Sequence, residues 1–217
     1  MNTRFNTIAA ALLAVGICGC SSSMQSASTS APPATGGPSA TVTAPAANPA
    51  DVNFMSGMIP HHAQAVLIAG WAASHGARDD VRVLCERIVV GQSDEIHLMQ
   101  YWLRQHGQEV PAATSMRMKM KMADGMVMDM LMPGMLNDEQ LAALDKSRGS
   151  DFDRLFLRAM IAHHGGAISM VDELLGSPGA GNDDLVYRFA SDVYADQTTE
   201  IERMTKMLAT VPAPRAP

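Results

Sequence analysis

Four of the seven histidines form two adjacent pairs, His61-His62 and His163-His164, and each pair follows a methionine, Met58 or Met160, by three and four residues. On a helix those steps fall on one face, so an imidazole and a thioether can converge from a single turn. Thioether sulfur is soft and uncharged and favours Cu(I) or Ag(I) over harder cations. A lone histidine on an apolar stripe reads as a core side chain with one hydrogen bond. Four imidazoles near one axis are different, because buried they need carboxylates or a metal. Glu95 and Glu200 answer the first need. Each stands three residues after a glutamine (Gln92, Gln197) and four before a methionine (Met99, Met204). From there each can take the free N–H of an imidazole and fix its tautomer. The same carboxylates could instead bind Zn, Fe or Mn directly through oxygen. A di-iron centre of the ferritin kind uses Glu-x-x-His on two helices, and this sequence has no such motif. Met58, Met99, Met160 and Met204 are as well suited to filling core space as to holding an ion.

A second set of sulfurs lies between the two histidine pairs, at Met116, Met118, Met120, Met122, Met126, Met128, Met130, Met132 and Met135. Lys, Arg and Asp intervene, so the string does not make a plain apolar face. It reads as an accessible thioether store that collects metal at low affinity, with an adaptable docking surface or an oxidation buffer as the other readings. Cys85 falls on an apolar stripe and is expected to be a core residue. His75, His97 and His106 are expected in solvent, and Trp71, Trp102 and the tyrosines in packing. There is no nucleophile–base pair, phosphate-binding glycine loop or open-site zinc signature, so an enzyme is the less favoured class.

The elements that position these residues are set by a duplication. Asp51, Phe54, Met58, Ile59, His61, His62 and Ala65 recur 102 residues later as Asp153, Phe156, Met160, Ile161, His163, His164 and Ala167. Gln92, Glu95, Ile96 and Met99 recur 105 residues later as Gln197, Glu200, Ile201 and Met204. Both halves carry apolar residues at three- and four-residue steps. The pattern predicts four helices of roughly 16 to 25 residues in two hairpins, an all-α four-helix bundle with a pseudo-twofold axis. Breaks fall at residues 74–80 and at the Gly/Pro cluster before Asn182. Pro60 belongs either in a first turn or at a kink just before the histidines. The Met-rich stretch, about 112–136, alternates with period two but has no other strand-like segment to pair with, so it is expected as a loop. A short helix from about Asp138 to Lys146 should follow, capped by Asn137 with Gln140 three residues on.

The N-terminus fixes where such a domain would work. One cation, Arg4, precedes an apolar run from Ile8 to Ile17 that is too short to span a membrane and suits a signal peptide. Ile17-Cys18-Gly19-Cys20 resembles a bacterial lipobox, which predicts cleavage after Gly19 and acylation of Cys20. Residues 21–50 are Ser, Ala, Pro, Thr and Gly with few large apolar side chains, a disordered tether of about 30 Å reach. With Cys18 removed and Cys20 lipidated, Cys85 has no partner for a disulfide. The formal net charge of −6 becomes one unit more negative once Arg4 is cleaved away. That argues against nucleic acid as a partner and is compatible with cations. The domain is expected over 51–208, with a flexible tail at 209–217.

Phe-x3-Met-Ile-Pro-His-His, repeated as Phe-x3-Met-Ile-Ala-His-His, with Gln-x2-Glu-Ile-x2-Met closing each half, resembles domain-of-unknown-function family 305 over about residues 51–208. That resemblance implies the ferritin-like four-helix superfamily, an envelope location and, through CopM-type members, copper binding. The reading that results is a lipid-anchored extracytoplasmic protein that buffers, sequesters or transfers Cu(I), with Ag(I) as a second cargo and an envelope metal-transfer partner. Two alternatives stay open. One is a metalloenzyme using the His/Glu groups with Zn, Fe or Mn. The other is an interaction module with a purely structural His/Glu core.

Overall fold

The structure, a computed structural model, describes residues 46–121 and 124–213. The signal segment, Cys20, most of the tether and Met122 lie outside the described residues. Four long helices carry the fold: α1 (Pro49–Gly70), α2 (Asp79–Gln105), α4 (Ser150–Gly176) and α5 (Asp184–Ala209), with the short α3 (Asp138–Lys146) before the third. α2, α4 and α5 each bury one stripe, and α1 is buried all round over its middle. α1 packs on α2, α4 packs on α5, and α1 against α4 joins the two hairpins. The chain is therefore the expected all-α four-helix bundle.

The helix ends follow from their capping residues. The Asn48 side chain accepts the Ala50 N–H at 2.8 Å, and Pro49, which has no N–H to satisfy, opens α1. Asp183 caps α5 through the Leu185 and Val186 N–H groups. Asn137 and Gln140 form the reciprocal capping box predicted for α3. The start of α1 at Pro49 puts it two residues inside the stretch read as tether. It also puts Pro60 mid-helix rather than in a first turn. The helix continues through Pro60 without the hydrogen bond its ring removes. Every residue from Gly57 to Ala65 is buried, because other chain segments cover the side of α1 that would otherwise face water.

The two halves are tied at opposite ends by equivalent carboxylates. Asp51, at the start of α1, accepts the Gly181 N–H of the α4–α5 loop at 2.7 Å, and Asp153, in the first turn of α4, accepts the Arg78 N–H of the α1–α2 turn at 3.3 Å. Both are buried. Burial pushes the Asp153 carboxyl above its usual range, opposed by the Arg78 N–H and guanidinium.

Several expectations are corrected. The Met-rich stretch is a β-hairpin, β1 (Met118–Lys121) antiparallel to β2 (Val127–Met130). Its missing partner strand is the second half of the same string, folded back through a turn with Gly125 at φ +85°. The register sets Met118 against Met130 and Met120 against Met128, so all four methionines share one face and Lys119 and Asp129 share the other. His75 is buried, not solvated. Its ring stacks on Trp71, its Nε2–H donates to the Asp145 carbonyl at 2.9 Å, and its Nδ1 lies 2.9 Å from Ser74 Oγ. His106 is half-buried, with Nδ1 donating to the Trp102 carbonyl. His97 is exposed as expected, and Trp102 is packed inside. Tyr101, Tyr187 and Tyr194 are exposed rather than packed.

Candidate metal centre

The bundle core is two apolar clusters with a polar layer between them. One cluster gathers the C-terminal part of α1, the N-terminal part of α2, the N-terminal part of α4 and the end of α5. The other gathers the complementary parts of the same four helices. The layer holds His61, His62, His163 and His164, all with zero exposure, and the buried Gln64, Gln92 and Gln197.

The imidazoles are arranged with the symmetry of the repeat. His61 and His163 meet across the α1–α4 contact, ring centroids 3.7 Å apart and planes 38° apart. His62 turns toward α2, where its Nε2–H donates to Glu95 Oε2 at 2.7 Å, and His164 turns toward α5, where its Nε2–H donates to Glu200 Oε2 at 2.7 Å. Within each pair the centroids are 6.1 and 6.2 Å apart. Met58 and Met99 belong to the apolar cluster on one side of this layer, Met160 and Met204 to the cluster on the other, and all four are fully buried. Helix periodicity keeps Met58 one turn from His61 and His62, and Met160 one turn from His163 and His164.

Satisfaction of the layer is incomplete. Nδ1 of all four histidines, Nε2 of His163, and Oε1 of Gln92 and of Gln197 are buried with no hydrogen-bond partner in the protein. Buried polar atoms left unpaired in this way are costly unless something takes them. Burial, and then the neighbouring His62, hold His61 down at about 3. Burial, and then His61 and His164, hold His163 well below the imidazole range. These two rings are therefore neutral donors. On the outer edge of the layer Glu95 and Glu200 are about a quarter exposed. Partial desolvation, then Glu95, Asp192 and Glu200, raise the carboxyl of nearby Asp196. The α2–α5 side thus presents negative charge to solvent beside the histidines.

A strap from the linker closes the α1–α4 side. His61 Nε2–H donates to the Pro133 carbonyl at 3.0 Å. Gln64 grips the Leu136 backbone twice, Nε2–H to its carbonyl at 2.9 Å and Oε1 from its N–H at 2.7 Å. Gly134, at φ +77°, lies so close to α4 that a Cβ on it would stand 2.4 Å from the Ala162 carbonyl oxygen. On the helix side, a Cβ on Gly166 would stand 1.9 Å from the Pro133 carbonyl oxygen. Gln64 and Gly166 occupy equivalent positions of the repeat. One half carries a side chain that holds the strap and the other carries none, which admits it.

The structure thus brings the four histidines and the two glutamates into one layer, with the glutamates as hydrogen-bond partners of His62 and His164. Among the described residues, no three His, Cys, Asp or Glu side chains form a cluster with metal-ligand geometry. The hairpin methionines stand apart from the layer. Met118, Met120, Met130 and Met132 line a cleft of about 520 Å³ against α1 and α4, Met116 is half-buried, and Met126 and Met128 are exposed. Cys85 is a core residue whose thiol burial pushes up to about 12, with Asp153 and Glu86 adding to the effect. The strap and Met170, which joins the cleft lining, had no signal in the sequence. The Pro133-Gly134 pair reads only as a break.

A family model described as "Domain of unknown function (DUF305)" matches residues 51–208. No curated protein matches. Among solved structures, a DUF305 fragment from Deinococcus radiodurans is 28% identical, covers 76% of this chain and 99% of its own, and superposes with a TM-score of 0.62. CopM in its Cu(I)-bound form is 26% identical, covers 73% of this chain and 95% of its own, and has a TM-score of 0.56. CopM in an Ag-bound form shares the fold at 24% identity and a TM-score of 0.57, over 75% of this chain and 98% of its own.

Proposed function

This chain belongs to the DUF305 family, and from that premise we propose that it is an extracytoplasmic metal-binding protein that buffers, sequesters or hands on Cu(I), with Ag(I) as an alternative cargo. The observation that carries the reading is the set of five imidazole nitrogens buried in one layer without a partner, two of them on rings held neutral by burial. Neutral imidazole is the form that ligates metal. Among the described residues no three His, Cys, Asp or Glu side chains cluster, and Met58 and Met160 stand one helical turn from the histidines. An ion held by imidazole together with one of these thioethers is a soft monovalent metal. Likeness to a protein solved in Cu(I)- and Cu(II)-bound forms supports copper as the metal. Glu95 and Glu200 hold His62 and His164 in the tautomer that leaves Nδ1 free to bind. In this account Cys20 carries the lipid anchor and residues 21–48 are the tether that holds the domain clear of the membrane. The hairpin methionines collect the ion before it is passed to an envelope partner.

One observation favours a second reading. Three of the four histidines already make a hydrogen bond, to Glu95, Pro133 or Glu200, as a structural polar layer would require. Anaerobic Cu(I) titration of the full chain against a competing chelator decides between the two. The wild type is run beside a variant with His61, His62, His163 and His164 changed to Ala. Metal ligation requires tight binding that falls in the variant by more than the roughly 10- to 100-fold that loss of an outer hydrogen-bond partner alone costs. A wild type that takes no Cu(I), and whose melting temperature is unmoved by Cu(I), Ag(I), Zn, Fe or Mn, establishes the structural layer instead.

A further inference from the structure

The methionine face of the hairpin does not point into open solvent along its whole length. It lies over α1 at Gly57. A Cβ on that residue would stand 2.9 Å from Met132 Sδ and 3.3 Å from Met118 Sδ, with the Met170 methyl at 3.4 Å from the same point. Three thioethers from three separate segments, the strap, β1 and α4, therefore converge on one missing side chain. The space belongs to the cleft of about 520 Å³ between the hairpin, α1 and α4, which Met120 and Met130 also line and at whose rim stands the carboxylate of Glu173. Met170 is buried, whereas Met120 and Met130 are more than a third exposed, so the cleft grades from an inner sulfur cluster to an outer one open to water.

Core packing alone gives no reason for this composition. The repeat places Ala159 at the position equivalent to Gly57, so a methyl group is compatible with the helix itself. Its absence in α1 makes room for the two sulfurs. Metal–sulfur bonds of roughly 2.3 Å put ligand sulfurs about 4 Å apart. Unbranched methionine side chains, each with three rotatable bonds, are suited to closing on such a spacing.

We propose that Met118, Met132 and Met170 form a distinct all-thioether site for a soft monovalent metal, Cu(I) or Ag(I), seated over Gly57. The site deepens, and rests on, the reading of this protein as a carrier of such ions. It also has a path to the histidine layer. Met132 is bonded to Pro133, whose carbonyl accepts the His61 Nε2–H, and Gly57 is one helical turn before His61. An ion that draws Met132 inward acts on the same strap that covers the histidines.

The test uses the full chain, loaded anaerobically with Cu(I) and read by native mass spectrometry for stoichiometry and by X-ray absorption for ligand type. In the four-histidine-to-Ala variant, one Cu(I) with a sulfur-only shell is expected to remain. Adding Met118→Leu, Met132→Leu and Met170→Leu removes it, while Met207→Leu, in the apolar cluster near the end of α5, does not. In the otherwise unchanged chain, the same triple change lowers the stoichiometry by one. Gly57→Val, which fills the convergence point and deletes no sulfur, weakens the site at least tenfold. Circular dichroism melting confirms that each variant is folded. The proposal is overturned if the triple change leaves stoichiometry intact in the otherwise unchanged chain, or if the ion that remains in the four-histidine variant shows nitrogen ligands. A sulfur-bound ion that persists while the histidine variant costs nothing in the wild-type titration sinks the histidine-layer reading and leaves this site standing.

Discussion

Neighbouring imidazoles at 3.7 Å between centroids have opposite consequences for the metal-free chain above and below neutral pH. Burial lowers His61 to about 3 and takes His163 in the same direction, whereas in an unfolded chain both titrate near 6.5. Below that value the unfolded state binds protons that the folded state refuses, so the linkage destabilises the fold. Stability is therefore full above about pH 6.5 and declines as the pH falls from there toward 3. The slope reaches about 1.4 kcal/mol per pH unit for each histidine. Thermal melts of the metal-free protein from pH 8 to pH 4 check this. His163→Leu should flatten the decline by removing one of the two contributors, and an unchanged slope in that variant would put the acid sensitivity elsewhere. That Glu95 and Glu200 can each take the N–H of an imidazole could be read from sequence, because both sit at fixed helical steps within a repeat; that the partners are His62 and His164 comes from the structure. The contact of His61 with Pro133 could not, since nothing in the local pattern says which of several linker carbonyls will reach it.

At the scale of elements, helices were legible and the chain between them was not. Local physics writes the helix signals: the Asn137–Gln140 capping box, the Gly/Pro cluster before Asn182, and the three- and four-residue apolar steps. The hairpin was missed because its strands pair only with each other, and a four-residue strand carries no more than a period-two hint. The strap was missed because its fit depends on what α4 lacks. Gly166 is the residue that tests it. Gly166→Ala puts a methyl group where the Pro133 carbonyl lies. The strap must then lift, at a cost of about 1–3 kcal/mol, the usual penalty for overpacking. The specific readout is amide exchange at Leu136, whose N–H donates to Gln64. It should exchange much faster in the variant while amides in α2 and α5 stay protected. Equal acceleration throughout would mean that the strap is not a separable element.

Over the whole molecule, the duplication explains why Asp51 and Asp153 match although neither is near the histidines. They fasten opposite ends of the bundle, each reaching from its own half to a loop of the other. Removing a buried acceptor from a backbone N–H costs about 1–3 kcal/mol. Asp51→Ala and Asp153→Ala should each lower stability by that amount. The two sites share no partner, so the double variant should lose the sum to within about 0.5 kcal/mol. Chemical denaturation of the four chains measures it, and a shortfall would show that the two ends yield together.

The layered core has a consequence for the order in which the chain assembles. α1 can meet α2, and α4 can meet α5, through short connections, but each apolar cluster needs parts of all four helices. Neither hairpin owns a finished core. Most burial therefore waits for the docking of one hairpin on the other, across the long linker, and long-range closure of that kind is the slow part of folding. The four imidazoles lose water in that same encounter. In acid, His61 and His163 must give up their protons before the two halves can close. Acid should then slow the refolding rate itself, as well as lowering the melting temperature of the finished bundle.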